Sequence, residues 1–213
     1  MPTIVPAILE ETKEKFKATC NLVMKIPGAD RIQVDFGDGK FIFTKLVEPS
    51  EVDNLNPSMH WEAHLMVMAP MDFLDYKIAG FKTIIIHFEA YPSVGNVKQA
   101  VAEIKKQEME PSVCINPDTK VEELKQFEGD VNNYLIMGVV PGKQGQEFIP
   151  ETISRINELR QLIPSAIIEV DGGVNNGNVK QIAEAGADLI VVGSAIVKQP
   201  NPSEAYEKLK ALI

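Results

Sequence analysis

Apolar residues in this chain gather in eight short runs, at 3–9, 31–35, 61–67, 82–88, 110–115, 134–140, 166–171 and 189–193. The runs are rich in Ile and Val and mostly continuous rather than alternating, as in "TIIIHF" and "LIVVG". Strands buried on both faces read this way, and such strands belong to parallel sheets. Between the runs the spacing turns helical. Residues 94–107 set Val97, Val101 and Ile104 on one face, and residues 150–163 carry Ile153, Ile156, Leu159 and Leu162 behind Pro150. Residues 175–188 begin at Asn-rich caps and stop at Gly186, and 203–213 close the chain with Ser203 as N-cap.

Eight strands alternating with helices fit either an eightfold β/α barrel or an open doubly wound sheet. The count of eight favours the barrel, so the expected fold is a single (β/α)8 TIM barrel over residues 1–213. The stretches 79–87 and 185–193 look alike, each an Ala-Gly helix end followed by a strand, a sign of repeated β/α units.

Composition narrows the partners. The chain has 213 residues, 45% hydrophobic and 24% charged, with a net charge of -9. That balance supports a core and argues against a nucleic-acid partner, which needs a basic face. No apolar run approaches membrane-helix length and no charged-then-apolar leader is visible, so no membrane partner and a cytoplasmic location are expected. Cys20 and Cys114 read as free buried thiols. A homo-oligomer is compatible with the sequence.

Candidate chemistry follows from the barrel. Its active site lies at the C-terminal ends of the strands. Asp35 and Asp171 each close a run, His64 lies in the third run and His87 ends the fourth. Buried carboxylates need a partner, so two of them with a histidine at one mouth suggest acid–base work, a metal site, or both. Taken alone, an Asp before Gly-Gly is as readily a turn former. His87 beside Glu89 reads as a strand-end histidine satisfied in place, His60 as a loop residue, and Asp38 as a turn residue. Gly172 and Gly173 follow the seventh run, Gly193 and Ser194 the eighth, where barrels commonly bind phosphate. The loop 141–146, with Gly142 and Gly145, is placed to close over a ligand, a plain turn being the alternative.

Along nearly its whole length the chain resembles the ribulose-phosphate 3-epimerases. "VPAILE" is similar to that family's opening strand, and "ADRIQVDFGDGKFIF" to its "HVDxMDGxFVPN" segment. "AHLMV" contains its "HLMV", "CINPDT" is similar to "LNPxTP", and "VVPGKQGQEFI" to "VNPGFGGQxFI". "EVDGGVNNGN" and "VVGSAI" resemble its phosphate-binding end. The resemblance implies a metal-assisted proton transfer at C3 of ribulose 5-phosphate or xylulose 5-phosphate, a small phosphorylated sugar. Asp35 and Asp171 would be the acid–base pair and, with His64, ligands of a divalent metal (Mg, Mn, Zn or Fe). Ala7, Met66 and Met137 would line the substrate pocket, and Gly142, Gly145, Gly172, Gly173, Gly193 and Ser194 would hold the phosphate.

The departures cluster at the reaction centre. Gln33 stands for a metal-ligand histidine and would be a weak or lost ligand, so the metal is expected to be weakly bound or absent. Ala7 replaces a serine, Gly37 a methionine and Val140 an asparagine. The alternative reading is therefore a phosphosugar-binding barrel with lost or altered activity. A third, a related decarboxylase or synthase, would show D-x-K-x-x-D, and Asp35-Phe36-Gly37-Asp38 lacks that lysine.

Overall fold

The computed structural model describes residues 1–53, 55–143 and 145–213. The eight runs become strands β1 (Thr3–Ile8), β2 (Arg31–Gly37), β3 (His60–Met66), β4 (Thr83–His87), β5 (Glu110–Ile115), β6 (Asn133–Met137), β7 (Ile167–Asp171) and β8 (Leu189–Val192). Each pairs in parallel with its sequence neighbours, and β8 returns to β1, which closes the barrel. The expected (β/α)8 architecture is therefore what forms. Among the described residues no helix is long and apolar enough to cross a membrane.

The helices depart from expectation in instructive ways. α1 (Lys13–Val23) and α2 (Leu74–Ala79) were not legible from spacing. α1 buries only Phe16, Cys20 and Val23, and Thr12 caps it by accepting from the Lys15 N–H. α3 (Val94–Lys106) and α4 (Thr152–Leu162) match. Where a helix would follow β5, Val121–Phe127 forms a 3-10 segment. α5 (Val179–Glu184) is shorter than 175–188, because Asn175 and Asn178 are used in a turn. Asn178 Oδ1 accepts from Asn175 N, and Asn175 Oδ1 from Gly177 N, both at 2.8 Å. A four-residue helix, α6 (Ser194–Val197), follows β8. The last helix, α7 (Pro202–Lys210), is capped by Asn201, not Ser203: Asn201 Oδ1 accepts from Glu204 N, while Ser203 lies inside the helix.

Strand alternation sorts side chains between two layers. Ile32, Val34 and Phe36 of β2 join the large apolar layer between sheet and helices, with Trp61, Ala63 and Leu65 of β3. The intervening positions face the barrel interior, and many there are polar. Gln33, Glu62, His64, Thr83, His87, Ser112, Asn133 and Glu169 are all buried. Toward the N-terminal ends Arg31 pairs with Glu62, and Asn133 donates to Glu169 at 2.9 Å. Two small apolar patches, one around Leu135 and Met137 and one around Ala7 and Val191, complete the interior. The continuous runs thus concealed a polar inner face, interrupted once every second residue at the positions that matter.

Candidate active site

A cavity of about 200 Å³ opens at the C-terminal ends of the strands. Asp35, His64 and Asp171 form its floor, and Ala7, Met66 and Met137 contribute to its walls. Gly142 and Gly145 border it on one side, and Gly172, Gly173, Gly193 and Ser194 on another. Every predicted site residue except Gln33 lines this one space. Gln33 lies just beneath, fully buried, and reaches the floor with its amide.

The floor is a closed ring of polar contacts. His64 Nδ1 lies 2.9 Å from Asp35 Oδ1 and 3.4 Å from Asp171 Oδ2. Gln33 Nε2 donates to the same two oxygens, at 2.9 and 2.8 Å, and lies 3.5 Å from His64 Nδ1. Strand register builds this arrangement: Asp35 of β2 pairs with His64 of β3, and β7 delivers Asp171 from the opposite side. Asp35 does not end its strand, as the sequence suggested; β2 runs on to Gly37.

Electrostatics follow from burial and contact. Burial pushes the Asp35 carboxyl up, against the bonds it accepts from His64 and Gln33, and the nearby Asp171 adds to the rise. Burial alone would lower His64, but its contacts with Asp171 and Asp35 outweigh that and hold the imidazole well above its ordinary value. His64 Nε2 lies 2.9 Å from His87 Nε2, and burial pulls His87 down to about 4.

Among the described residues, two donor sets could hold a metal ion: Asp35 with His64 and Asp171, and His64 with His87 and Cys114. The first offers two carboxylates and one imidazole, a set suited to a hard divalent cation. Gln33 as it stands offers that set an NH2 group, not a ligand. Its Oε1 is buried and has no hydrogen-bond partner among the described residues, so only a reversal of the amide would supply a fourth donor.

Residues that sequence reasoning passed over also shape the site. Lys143, Gln146, Val139 and Asn175 line the cavity. Ile42 explains one departure: a Cβ on Gly37 would sit 2.7 Å from Ile42 Cδ1 and 2.9 Å from Thr44 O. Ile42 packs with Leu46 and Met66 in the space that a larger residue at position 37 would take. His87 ends β4, as expected, but only its Nε2 is partnered, by His64; among the described residues its Nδ1 has no hydrogen-bond partner, Glu89 Oε2 lying 3.5 Å away. His60 opens β3 and contacts Thr83 Oγ1 at 2.8 Å, so it is not a loop residue. Asp38 is the expected turn residue, accepting from the backbone of Lys40, Phe41 and Met68. Cys20 and Cys114 are free and buried. Residue 144 of the loop 141–146 lies outside the described residues.

Comparison with known proteins bears on this arrangement. The model of the "Ribulose-phosphate 3 epimerase family" matches residues 3–197. The cytoplasmic ribulose-phosphate 3-epimerase isoform of Oryza sativa subsp. japonica is 32% identical over 213 residues, 97% of this chain and 92% of that protein. The ribulose-phosphate 3-epimerase of a Synechocystis species is 34% identical, covering 96% and 89%. That of Bacillus subtilis is 30% identical, covering 99% of each. Among solved structures, a 3-hexulose-6-phosphate synthase superposes with a TM-score of 0.73 at 18% identity, covering 99% of both chains, which is a likeness of fold alone.

Proposed function

The chain belongs to the ribulose-phosphate 3-epimerase family, a family of isomerases, and from that premise we propose that it moves a proton between the two faces of C3 in a pentulose 5-phosphate. The observation that carries this reading is the floor of the cavity. Two carboxylates from opposite sides of the barrel meet one imidazole and one amide, below a space bordered by glycine backbone.

Asp35, the more deeply buried of the two and pushed up by that burial, takes the part of the acid, and Asp171, the more exposed, that of the base. Asp171 takes the proton next to the carbonyl, and Asp35 delivers one to the opposite face, inverting the carbon. The charge that develops on the enediolate oxygens meets the His64 imidazolium, whose charge its two carboxylate neighbours sustain. Once Asp35 and His64 give up their protons, they and Asp171 would hold a hard divalent cation, with Gln33 turned to present Oε1. Such a cation would polarise the carbonyl and stabilise the enediolate.

The phosphate belongs at the other end of the cavity. Gly172 and Gly173 take φ of +109° and +71°, which turns the chain sharply as it leaves β7. Beyond that turn Gly173, with Gly142, Gly145, Gly193 and Ser194, offers backbone N–H groups to an anion. Ala7, Met66 and Met137 supply apolar walls for the sugar carbons.

The test is exchange of the C3 proton of ribulose 5-phosphate in deuterated water, followed by NMR, with and without added Mg, Mn, Fe or Zn. Exchange with formation of xylulose 5-phosphate supports the reading. A second reading, a phosphosugar-binding barrel without the activity, is favoured by Gln33 in place of a ligand. Binding of the sugar phosphate with no exchange under any of these conditions would establish it.

A further inference from the structure

The Gln33 amide occupies an unusual position. It has two hydrogens, and it faces two carboxylate oxygens, one from its own strand and one from β7. Both contacts are below 3 Å, the side chain is buried, and among the described residues the carbonyl end has no partner. A donor with one N–H could satisfy only one of the two oxygens. Reversing the amide would bring Oε1 against both carboxylates, which is repulsive unless a cation lies between them. The two orientations therefore correspond to two states of the centre: NH2 inward without a cation, oxygen inward with one.

We propose that Gln33 is a positioning residue that takes over the assembling role of a metal ion, holding Asp35 and Asp171 in register so that the centre works with no metal bound. This rests on the epimerase reading for its catalytic arm only. His64 Nδ1 bridges the two carboxyl groups unevenly, at 2.9 Å to Asp35 and 3.4 Å to Asp171, so a second bridge on the Asp171 side is needed to hold the pair together. A divalent cation does so by charge; an amide does so by giving each oxygen a hydrogen bond. The same bonds work against metal entry. A cation must break both and reverse the side chain, and hydrogen bonds to charged groups are strong enough that each lost bond lowers affinity about tenfold or more. An imidazole at position 33 would present a lone pair with no such competition.

The experiment uses the full chain treated with a strong chelator and desalted, with three readouts: metal uptake by calorimetry, the thermal midpoint, and C3 proton exchange. For the unmodified chain we expect no zinc uptake at micromolar concentrations, a midpoint unmoved by chelator, and exchange within about threefold of that with added Mn or Mg. Gln33→His should take up zinc and become chelator-sensitive, losing exchange about a hundredfold when metal is removed and regaining it with metal. A merely structural role for Gln33 would leave chelator sensitivity unchanged. The proposal is overturned if the chelated, unmodified chain loses exchange and regains it with metal, or if it holds stoichiometric zinc tightly. Should Gln33→His fail to fold, those measurements on the unmodified chain decide alone. If no form exchanges the proton, yet the unmodified chain ignores chelator while Gln33→His binds zinc, the epimerase reading fails and the assembling role of Gln33 stands.

Discussion

His64 and His87 meet through their Nε2 atoms at 2.9 Å, inside the barrel and out of contact with solvent. Two ring nitrogens at that distance share one proton, so one must donate and the other accept. The pair is asymmetric. His64 is held protonated by Asp35 and Asp171, whereas His87 is pulled down to about 4 by burial. His64 is therefore the donor, and His87 accepts with its bare Nε2. The remaining His87 proton sits on Nδ1, toward Glu89 Oε2 at 3.5 Å. His87 thus fixes the tilt of the imidazole that faces both carboxylates.

His87→Phe leaves the His64 Nε2–H buried with no acceptor, which costs about 1–3 kcal/mol. We expect a lower urea midpoint and slower C3 exchange. His87→Gln, which can still accept through its amide oxygen, should recover most of both. Equal losses in the two variants would show that the ring's bulk matters and its lone pair does not.

Replacing either carboxylate removes a proton carrier and keeps its shape. Asp35→Asn and Asp171→Asn should each lower kcat by about 10²–10⁴-fold. Binding of ribulose 5-phosphate should persist in both, since the glycine end of the cavity is untouched. A titration calorimeter separates the two quantities, and a variant that keeps more than a tenth of kcat would remove that residue from the acid–base pair.

The strands were legible because β-branched runs survive in sequence as runs, and the two aspartates were legible because Gly follows each within two residues, although Asp35 lies inside β2 and only Asp171 ends its strand. The role of Gln33 was not. Its identity suggested a poor ligand, but the direction of its amide depends on Asp171, which lies 138 positions away. Ile42 was equally hidden: it fills the space beside Gly37 from a loop with no regular spacing. α1 was missed because its buried face comprises only three residues amid lysines. The cap of α7 was misread because Ser203 is a good cap by type, while Pro202 at the first turn makes Asn201 the residue outside the helix.

The structure directs a Cβ at position 173 into the backbone of Phe148, 2.6 Å from its N and Cα. Gly173→Ala should therefore displace the loop after β6 and destabilise the fold by about 2 kcal/mol or more. Gly145→Ala has a similar φ, +78°, but meets nothing within 4 Å, and should cost only the left-handed penalty of about 1 kcal/mol. Chemical denaturation of the two variants checks the contrast, and equal costs would refute the packing argument.

Lys143 is the one lysine or arginine among the described residues that line the cavity, which also holds two aspartates. A dianionic sugar phosphate approaches a chain of net charge -9, so a cation at the mouth matters for capture. Lys143→Met should raise KM about tenfold with little change in kcat, and should flatten the dependence of KM on ionic strength. A fall in kcat at unchanged KM would place the lysine in the chemistry instead.

His60 supplies a pH test far from the cavity. It sits at the N-terminal end of β3, and burial, with Arg31 and Lys82 nearby, lowers it from 6.5 to about 4, although Glu110 and Asp30 oppose the shift. In the window between those values the unfolded chain binds this proton and the folded chain does not. Stability therefore falls as pH drops from about 6.5 to about 4, and the full contribution is present above that window. The ring is only half buried, so solvent reduces the effect to roughly 1 kcal/mol. His60→Gln keeps a partner for Thr83 Oγ1 but cannot titrate. Urea denaturation at pH 7 and pH 4.5 should show a smaller acid loss in the variant by about that amount. An identical loss in both proteins would mean that His60 already carries its proton in the folded chain, and that Glu110 outweighs burial there.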